Sequence, residues 1–310
     1  MNMQRGASVQ RNINEPSWFR YALEFPSESS SICVEDVTIN YTTWGEIGNP
    51  GIILIHGSNA HLEWWRFVAP YLADQFRVVA LDSSGNGDSG WREAYSGAIF
   101  AKEVWEVGEA AQVGTNPFII GHSFGGYVAL EVGARYGGMI GGIAMVDFTV
   151  ASPENYSEWG LRAEREDKKP RKTKLYETLG SIVSRFRLLP DQPLNADVLS
   201  YIAGKSIRKV DGGYTWKFDP TLFDYLEMGS DQAEKFMTLA CRSAVILGEH
   251  SDDEGAFNAP YMHEISQYPL PNFMIPGTHH HLMFEEPLAL VAGLKGLLHS
   301  WIREDGVHIE

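Results

Sequence analysis

The amino-acid sequence predicts an α/β protein with a mostly parallel central sheet flanked by helices, and three observations predict it. Short, continuous apolar runs recur along the chain, as expected for parallel strands buried on both faces. Stretches with helical spacing separate several of these runs, which is typical of a sheet covered by helices on both sides. One apolar run also passes through a tight glycine-rich turn straight into a helical stretch, at residues 121–126.

The individual elements follow in order along the chain. Residues 1–20 are predicted to form a loose arm, and residues 31–44 alternate polar and apolar side chains, as edge strands at the start of a sheet do. Helical spacing appears at residues 64–73, at residues 101–113, which end at Gly114, and at a closing helix over residues 288–302. Central strands are predicted at six apolar runs: residues 52–55, 77–81, 118–120, 142–146, 244–247 and 273–275.

Composition and charge narrow the classes of partner. The chain has 310 residues, 44% of them hydrophobic and 21% charged, which is ordinary for a globular protein. Its net charge of -15 argues against nucleic acid and anionic membranes as partners. No apolar run is long enough to span a bilayer, and the first twenty residues lack the apolar centre of a signal peptide. Cys33 and Cys241 are expected to be buried thiols in a reducing compartment, so a cytoplasmic location is predicted.

The glycine-rich turn is the clearest functional signal. It has the sequence Gly121-His122-Ser123-Phe124-Gly125-Gly126 and lies between an apolar strand and a helix. A serine on so sharp a turn has a strained backbone, and glycines two positions before and after it remove Cβ atoms that would clash. The turn presents the Ser123 hydroxyl at the positive end of a helix. Ser123 is therefore a candidate nucleophile.

Two further motifs precede this turn and a third follows it near the C-terminus. They are Ile52-Ile53-Leu54-Ile55-His56-Gly57, Asp82-Ser83-Ser84-Gly85-Asn86-Gly87-Asp88-Ser89 and Pro276-Gly277-Thr278-His279-His280-His281. With them, the chain resembles the α/β-hydrolase superfamily, in its cap-bearing, serine esterase-like branch, over about residues 30–300. The resemblance implies an α/β-hydrolase core formed by residues 1–150 and 236–310. It also implies an inserted helical cap over residues 151–235, a stretch that is first highly charged and then aromatic and irregular.

The resemblance also assigns the base. A serine hydroxyl is nearly unreactive at neutral pH and needs an adjacent base, for which an imidazole is suited. The family's spacing places the catalytic histidine at the fourth residue after the proline of the Pro-Gly pair, which is His280 here. His279 and His281 are expected to be packing or hydrogen-bonding neighbours. A metal site at this cluster is not favoured, because adjacent loop residues point in different directions.

Two positions remain open for the acid that orients His280. The family usually places it after the seventh strand, three residues past a glycine. The third residue after Gly248 is Ser251, which cannot do this work, and Asp252 follows it. A second location in the family lies after the sixth strand, where this chain has Asp147. Asp252 and Asp147 are both kept as candidates, with Asp253 behind them.

The backbone N–H groups of Ser58 and Phe124 are expected to form the oxyanion hole, as the resemblance implies. Such donors commonly contribute ~3 kcal/mol each to the stability of the transition state. His56 is expected to shape the loop, and the loop that begins at Asp82 is expected to be structural. Trp64 and Trp65 are either walls of the pocket mouth or ordinary packing residues.

The predicted activity is that of a serine hydrolase cleaving small or medium carboxylic esters through an acyl-enzyme, with no cofactor and no metal. A carbon–carbon bond hydrolase or a lactonase on the same triad is the alternative. A non-catalytic small-molecule receptor on the same fold is the alternative from another class. Haloalkane dehalogenases and epoxide hydrolases share the fold but use an aspartate nucleophile, so Ser123 counts against both. The expected partner is a small-molecule substrate, and the oligomeric state is left open.

Overall fold

A computed structural model describes residues 16–153, 173–251 and 254–304 of the chain. Its main sheet has eight strands: Glu28–Val34 (β1), Val37–Trp44 (β2), Gly51–Ile55 (β3), Arg77–Leu81 (β4), Phe118–His122 (β5), Gly142–Val146 (β6), Ser243–Gly248 (β7) and Asn272–Ile275 (β8). Their order across the sheet is β1-β2-β4-β3-β5-β6-β7-β8. β2 runs antiparallel to both β1 and β4, and all the other neighbouring pairs are parallel. The predicted mostly parallel sheet is confirmed.

Side chains of the central strands divide between two apolar layers. In β3, Ile52 and Leu54 face one layer, and Ile53 and Ile55 face the other. All four are at most 1% exposed. Successive side chains of a strand point to opposite faces, so a continuous apolar run fits only a strand that is covered on both sides.

Helices cover both faces of the sheet, as predicted. Their bounds are Ser17–Glu24 (α1), Ala69–Leu72 (α2), Gly97–Ala110 (α3), Phe124–Tyr136 (α4), Leu179–Val183 (α5), Ala196–Lys205 (α6), Gln232–Met237 (α7), Glu254–Ile265 (α8), Leu282–Glu285 (α9) and Pro287–Glu304 (α10). Single 3-10 turns occur at Leu62–Trp65, Gly137–Met139 and Leu222–Asp224. Buried residues of α1, α2 and α10 join one apolar layer, and those of α3 and α4 join the other. The predicted closing helix is α10.

Three expectations about local structure are wrong. Residues 17–20 belong to α1, whose Phe19 and Ala22 are buried in the core, whereas residues 1–15 lie outside the described residues. The single helix predicted over residues 64–73 is instead a 3-10 turn followed by α2, because Pro70 near the start of α2 has no N–H to continue a helix. Cys33 is exposed on edge strand β1, although Cys241 is buried and neither thiol forms a disulfide.

The chain between β6 and β7 adds no strand to the main sheet within its described residues, 147–153 and 173–242. It contributes α5, α6, α7 and a hairpin of Ile207–Val210 with Gly213–Trp216. Most of the charged run at residues 161–174 lies outside the described residues. Polar contacts tie this stretch to loops at one end of the sheet: the Tyr201 hydroxyl donates to Glu63 at 2.6 Å, and Arg208 donates to the Gly87 carbonyl oxygen at 2.6 Å.

Candidate active site

Ser123 stands at the sharp turn between β5 and α4. Its backbone lies at φ 53° and ψ -120°, a strained conformation for a residue with a side chain. A Cβ atom on Gly121 would lie 1.9 Å from the Gly125 carbonyl oxygen, and one on Gly125 would lie 2.4 Å from the Ile55 carbonyl oxygen. Both glycines are therefore required by close backbone contacts, as the sequence predicted, and the partly exposed Ser123 projects from the turn.

A continuous chain of hydrogen bonds links Ser123 to His280 and Asp147. The Ser123 Oγ atom lies 2.9 Å from Nε2 of His280, and Nδ1 of His280 lies 2.5 Å from Oδ2 of Asp147. Because a carboxylate only accepts, Nδ1 carries the ring proton, and Nε2 is left free to accept the proton of Ser123. Of the two open positions for the acid, the one after β6 thus contacts the histidine. Asp252 and Asp253 lie outside the described residues.

Asp147 is held firmly at the end of β6. Its backbone has a φ of 50°, and its N–H donates to the Ile246 carbonyl oxygen of β7 at 2.7 Å. Its carboxylate is 6% exposed. The Gly248 N–H donates to Oδ1 at 3.0 Å, and the Ser251 hydroxyl lies 2.8 Å from Oδ1 and 2.9 Å from Oδ2. The sequence excluded Ser251 as the acid, but it did not predict the contact of Ser251 with Asp147.

His122 is a second residue whose contact with the histidine loop was not predicted from the sequence. It ends β5, is fully buried, and donates from Nε2 to the His280 carbonyl oxygen at 2.8 Å. Burial holds the pKa of His122 well below its ordinary value, so the ring is neutral. Its Nδ1 atom has no hydrogen-bond partner among the described residues. The sequence did contain a signal for this role: His122 is an ionisable residue at the end of an apolar strand, directly before Ser123.

The two other histidines of the cluster have partners of their own. His279 donates to Glu285 from its backbone N–H at 2.6 Å and from Nδ1 at 2.8 Å. His281 donates to Oε1 of Gln192 from its backbone N–H at 2.9 Å and from Nδ1 at 2.6 Å. Burial lowers the pKa of His281 to about 3. Neither contact involves Ser123, so these residues support the loop on either side of His280.

The loop after β3 lies directly against the serine. A Cβ atom on Gly57 would be 3.3 Å from Cβ of Ser123, and the next residue, Ser58, is exposed. In the part of the chain that is described, the N–H groups of Ser58 and Phe124 donate to no other protein group. His56 shapes this loop: Nδ1 donates to the Gly57 carbonyl oxygen at 2.8 Å, and Nε2 accepts from the Ser83 N–H at 3.1 Å. Burial lowers the pKa of His56 to about 4.

Two buried polar residues hold the far end of the same loop. His61 donates from Nε2 to the Ser206 hydroxyl at 2.9 Å, which connects the loop to α6, and burial lowers the pKa of His61 to about 3. Asp82 accepts from the Leu62 N–H at 2.7 Å and from the Asp88 N–H at 2.8 Å. Burial raises the pKa of Asp82 to about 7 despite these bonds. Their side chains thus connect this loop to α6 and to the loop that begins at Asp82.

Trp64 and Trp65 are packing residues. Trp65 is 0% exposed in the core, and Trp64 is 7% exposed with its ring 5.2 Å from that of His281. Phe223 is 43% exposed and packs edge-on against the ring of Phe124 at a centroid distance of 5.3 Å. An exposed aromatic side chain from the stretch between β6 and β7 thus contacts the residue that follows Ser123.

Other features of the surface lie apart from this site. Two hollows are lined by residues of α4 and α7 around Glu131 and by residues around Trp91 and Asp219, and neither includes Ser123 or His280. Across the described ranges, no three histidine, cysteine or acidic side chains converge as metal ligands would. Nor does any helix in those ranges combine the length and apolarity needed to cross a membrane.

Comparison with known proteins matches the chain to a hydrolase family and to proteins of the same fold. A family model described as the alpha/beta hydrolase family matches residues 52–294. An esterase of Mycobacterium tuberculosis is 28% identical over 134 residues, 43% of this chain and 43% of the relative. Mouse epoxide hydrolase 4 is 28% identical over 126 residues, 40% of this chain and 34% of the relative, so each match spans less than half of the relative's length. The thioesterase domain of the curacin biosynthetic pathway superposes with a TM-score of 0.71 at 19% identity, covering 87% of this chain and 99% of that domain, which shows a shared fold.

Proposed function

The chain belongs to the alpha/beta hydrolase family, and we propose that it is a serine hydrolase that cleaves small or medium carboxylic esters through an acyl-enzyme. One observation carries the proposal: the hydrogen-bonded chain from Ser123 through His280 to Asp147, with distances of 2.9 and 2.5 Å. In this proposal, these hydrogen bonds connect a nucleophile, a base and an orienting acid, which is the arrangement that nucleophilic acyl transfer needs. The printed name of the Mycobacterium tuberculosis relative, an esterase, supports ester chemistry.

The proposed reaction has two steps, acylation of Ser123 and hydrolysis of the acyl-enzyme, and His280 accepts and returns one proton in each. Nε2 of His280 takes the Ser123 proton as Oγ attacks the ester carbonyl carbon, and it then delivers that proton to the leaving alcohol oxygen. A water molecule, deprotonated by the same Nε2, attacks the acyl-enzyme and releases the carboxylic acid, while the proton returns to Ser123. Asp147 keeps the Nδ1–H in place and stabilises the imidazolium that forms in each half.

The negative charge that develops on the carbonyl oxygen is held by the N–H groups of Phe124 and Ser58 in this proposal. Both are free of protein acceptors within the described residues, and Gly57 lies against Ser123, which supports this role. The N–H of Phe124 also begins α4, so the positive end of a thirteen-residue helix faces the same point. Neutral His56 keeps the loop in place without adding a charge to it.

Residues 151–235 form the substrate-binding cap in this proposal, and residues 1–150 and 236–310 form the hydrolase core. The contacts of Ser206 with His61 and of Phe223 with Phe124 support it, because both bring this stretch to the loops around Ser123. The exposed ring of Phe223, packed on the Phe124 side chain, gives this stretch an apolar surface. An apolar pocket wall favours apolar acyl groups, at ~0.8 kcal/mol per buried methylene until the pocket is full. Short and medium acyl chains are therefore the proposed substrates.

A fluorophosphonate probe together with p-nitrophenyl esters of increasing chain length tests the proposal. Wild-type protein is expected to be labelled at Ser123 and to hydrolyse short and medium esters best. The Ser123→Ala variant should lose both activities while keeping its thermal unfolding midpoint, because the hydroxyl contributes chemistry and little packing. If the probe labels Ser123 but only lactones or diketones are turned over, the proposed ester substrate is wrong and the serine hydrolase mechanism stands. If there is neither labelling nor turnover, the proposal of a serine hydrolase is contradicted.

A further inference from the structure

We propose that Ser251 is a positioning residue that holds the Asp147 carboxylate against His280, an inference that rests on the proposed function. Ser251 is the third residue after the end of β7, and its hydroxyl lies 2.8 Å from Oδ1 and 2.9 Å from Oδ2 of Asp147. A single hydroxyl proton is thus within reach of both oxygens of the carboxylate, including the oxygen that accepts from His280.

The surroundings of Asp147 show why such a contact is needed. Oδ1 has a second donor, the Gly248 N–H at 3.0 Å, whereas Oδ2 has only Nδ1 of His280 and the hydroxyl of Ser251 as described donors. Without Ser251, Oδ2 would keep only Nδ1 of His280 as a described donor, so the carboxylate would be held on that side by the imidazole alone. The hydroxyl therefore adds a restraint on the carboxylate plane that does not depend on His280.

Ser251 also gives the buried carboxylate of Asp147 a hydrogen-bond donor from the protein. The carboxylate side chain is 6% exposed, so protein donors must replace the water it has lost. Hydrogen bonds to charged groups are among the stronger ones in proteins, and Ser251 provides one of the few donors here. The hydroxyl should matter most when His280 becomes positively charged, because the pair must then stay aligned while the proton resides on Nε2.

The test is a double-mutant cycle between Ser251→Ala and Asp147→Ala, read by kcat, KM and the rate of Ser123 labelling by a fluorophosphonate. In the wild-type background, Ser251→Ala should lower kcat and the labelling rate ~10-fold, the loss of one hydrogen bond to a charged group, with KM nearly unchanged. In the Asp147→Ala background the same change should alter the labelling rate less than about twofold, because the hydroxyl has lost the group through which it acts.

The control is Ser89→Ala, which removes a buried hydroxyl whose acceptor is a backbone group and not the Asp147 carboxylate: Ser89 donates to the Asp82 carbonyl oxygen at 2.6 Å. This control should lower the thermal unfolding midpoint but leave the labelling rate near that of wild type. The inference is overturned if Ser251→Ala keeps kcat within about twofold, changes KM alone, or reduces labelling equally in both backgrounds. Labelling of wild-type Ser123 is the separate check on the proposed function, so the two failures are distinguishable.

Discussion

Replacing Asp147 by asparagine changes one atom of the carboxylate, and the structure predicts which way the amide will turn. The Gly248 N–H points at the Oδ1 position at 3.0 Å. Placing the amide NH2 group there would set two donors against each other and leave a backbone N–H unpaired, at a cost of about 1–3 kcal/mol. The amide oxygen therefore occupies the Oδ1 position, and the NH2 group faces Nδ1 of His280.

That orientation inactivates the base. A donor facing Nδ1 requires Nδ1 to accept, so the proton of the neutral ring moves to Nε2, which then cannot take the proton of Ser123. The same change in a well-studied serine protease triad lowers kcat ~10⁴-fold, and a loss of that order is expected here because the contact is direct and short, at 2.5 Å.

The assay compares kcat for a short p-nitrophenyl ester and the rate of fluorophosphonate labelling in Asp147→Asn and Asp252→Asn. Asp147→Asn should lose both, and Asp252→Asn should retain nearly all of both. Circular dichroism and thermal unfolding establish that each variant is folded. A large loss in Asp252→Asn with near-normal activity in Asp147→Asn would refute the reasoning and return the acid to the position after β7.

Two further predictions concern the histidines. His280→Ala should show no ester hydrolysis, whereas His279→Ala and His281→Ala should keep substantial activity, since their side chains bond to Glu285 and Gln192 rather than to Ser123; loss of kcat in His279→Ala alone would show that the wrong residue of the loop has been assigned. The buried His61 has a folded-state pKa of about 3 against an ordinary value of 6.5, so the unfolded chain takes up its proton first as the pH falls below 6.5, and stability is lost down to about pH 3. His61→Gln should therefore reduce the fall in the free energy of unfolding between pH 7 and 5 by about 2 kcal/mol, measured by urea titration, and an unchanged pH dependence would contradict this.

The sheet and the serine turn were predictable because their signals are local. A continuous apolar run, as in β3, has few alternatives to a buried strand, and the glycines at 121 and 125 are required by contacts within the turn and with its neighbouring strand. Helix α1 was missed because it is short and its apolar residues, among them Phe19 and Ala22, gain their stability from packing against distant parts of the chain rather than from helical propensity. Pro70 indicates that a helix cannot run continuously from residue 64 to residue 73, but the helical spacing of the apolar residues suggested a single helix.

Two positions for the acid stayed open in the sequence because the topology makes them nearly equivalent. β6 and β7 are parallel neighbours, so their carboxyl ends lie side by side, one strand spacing apart. Residues just beyond either end meet at one point: the Asp147 N–H bonds to β7 at Ile246, and the Gly248 N–H and the Ser251 hydroxyl both reach the Asp147 carboxylate. Sequence spacing gives the distance along the chain between a residue and the end of its strand. It does not tell which of the two adjacent strand ends carries the carboxylate that contacts His280 and which carries the donors to that carboxylate. In this arrangement, the serine at the position where the acid was expected is a hydrogen-bond partner of a carboxylate from the neighbouring strand.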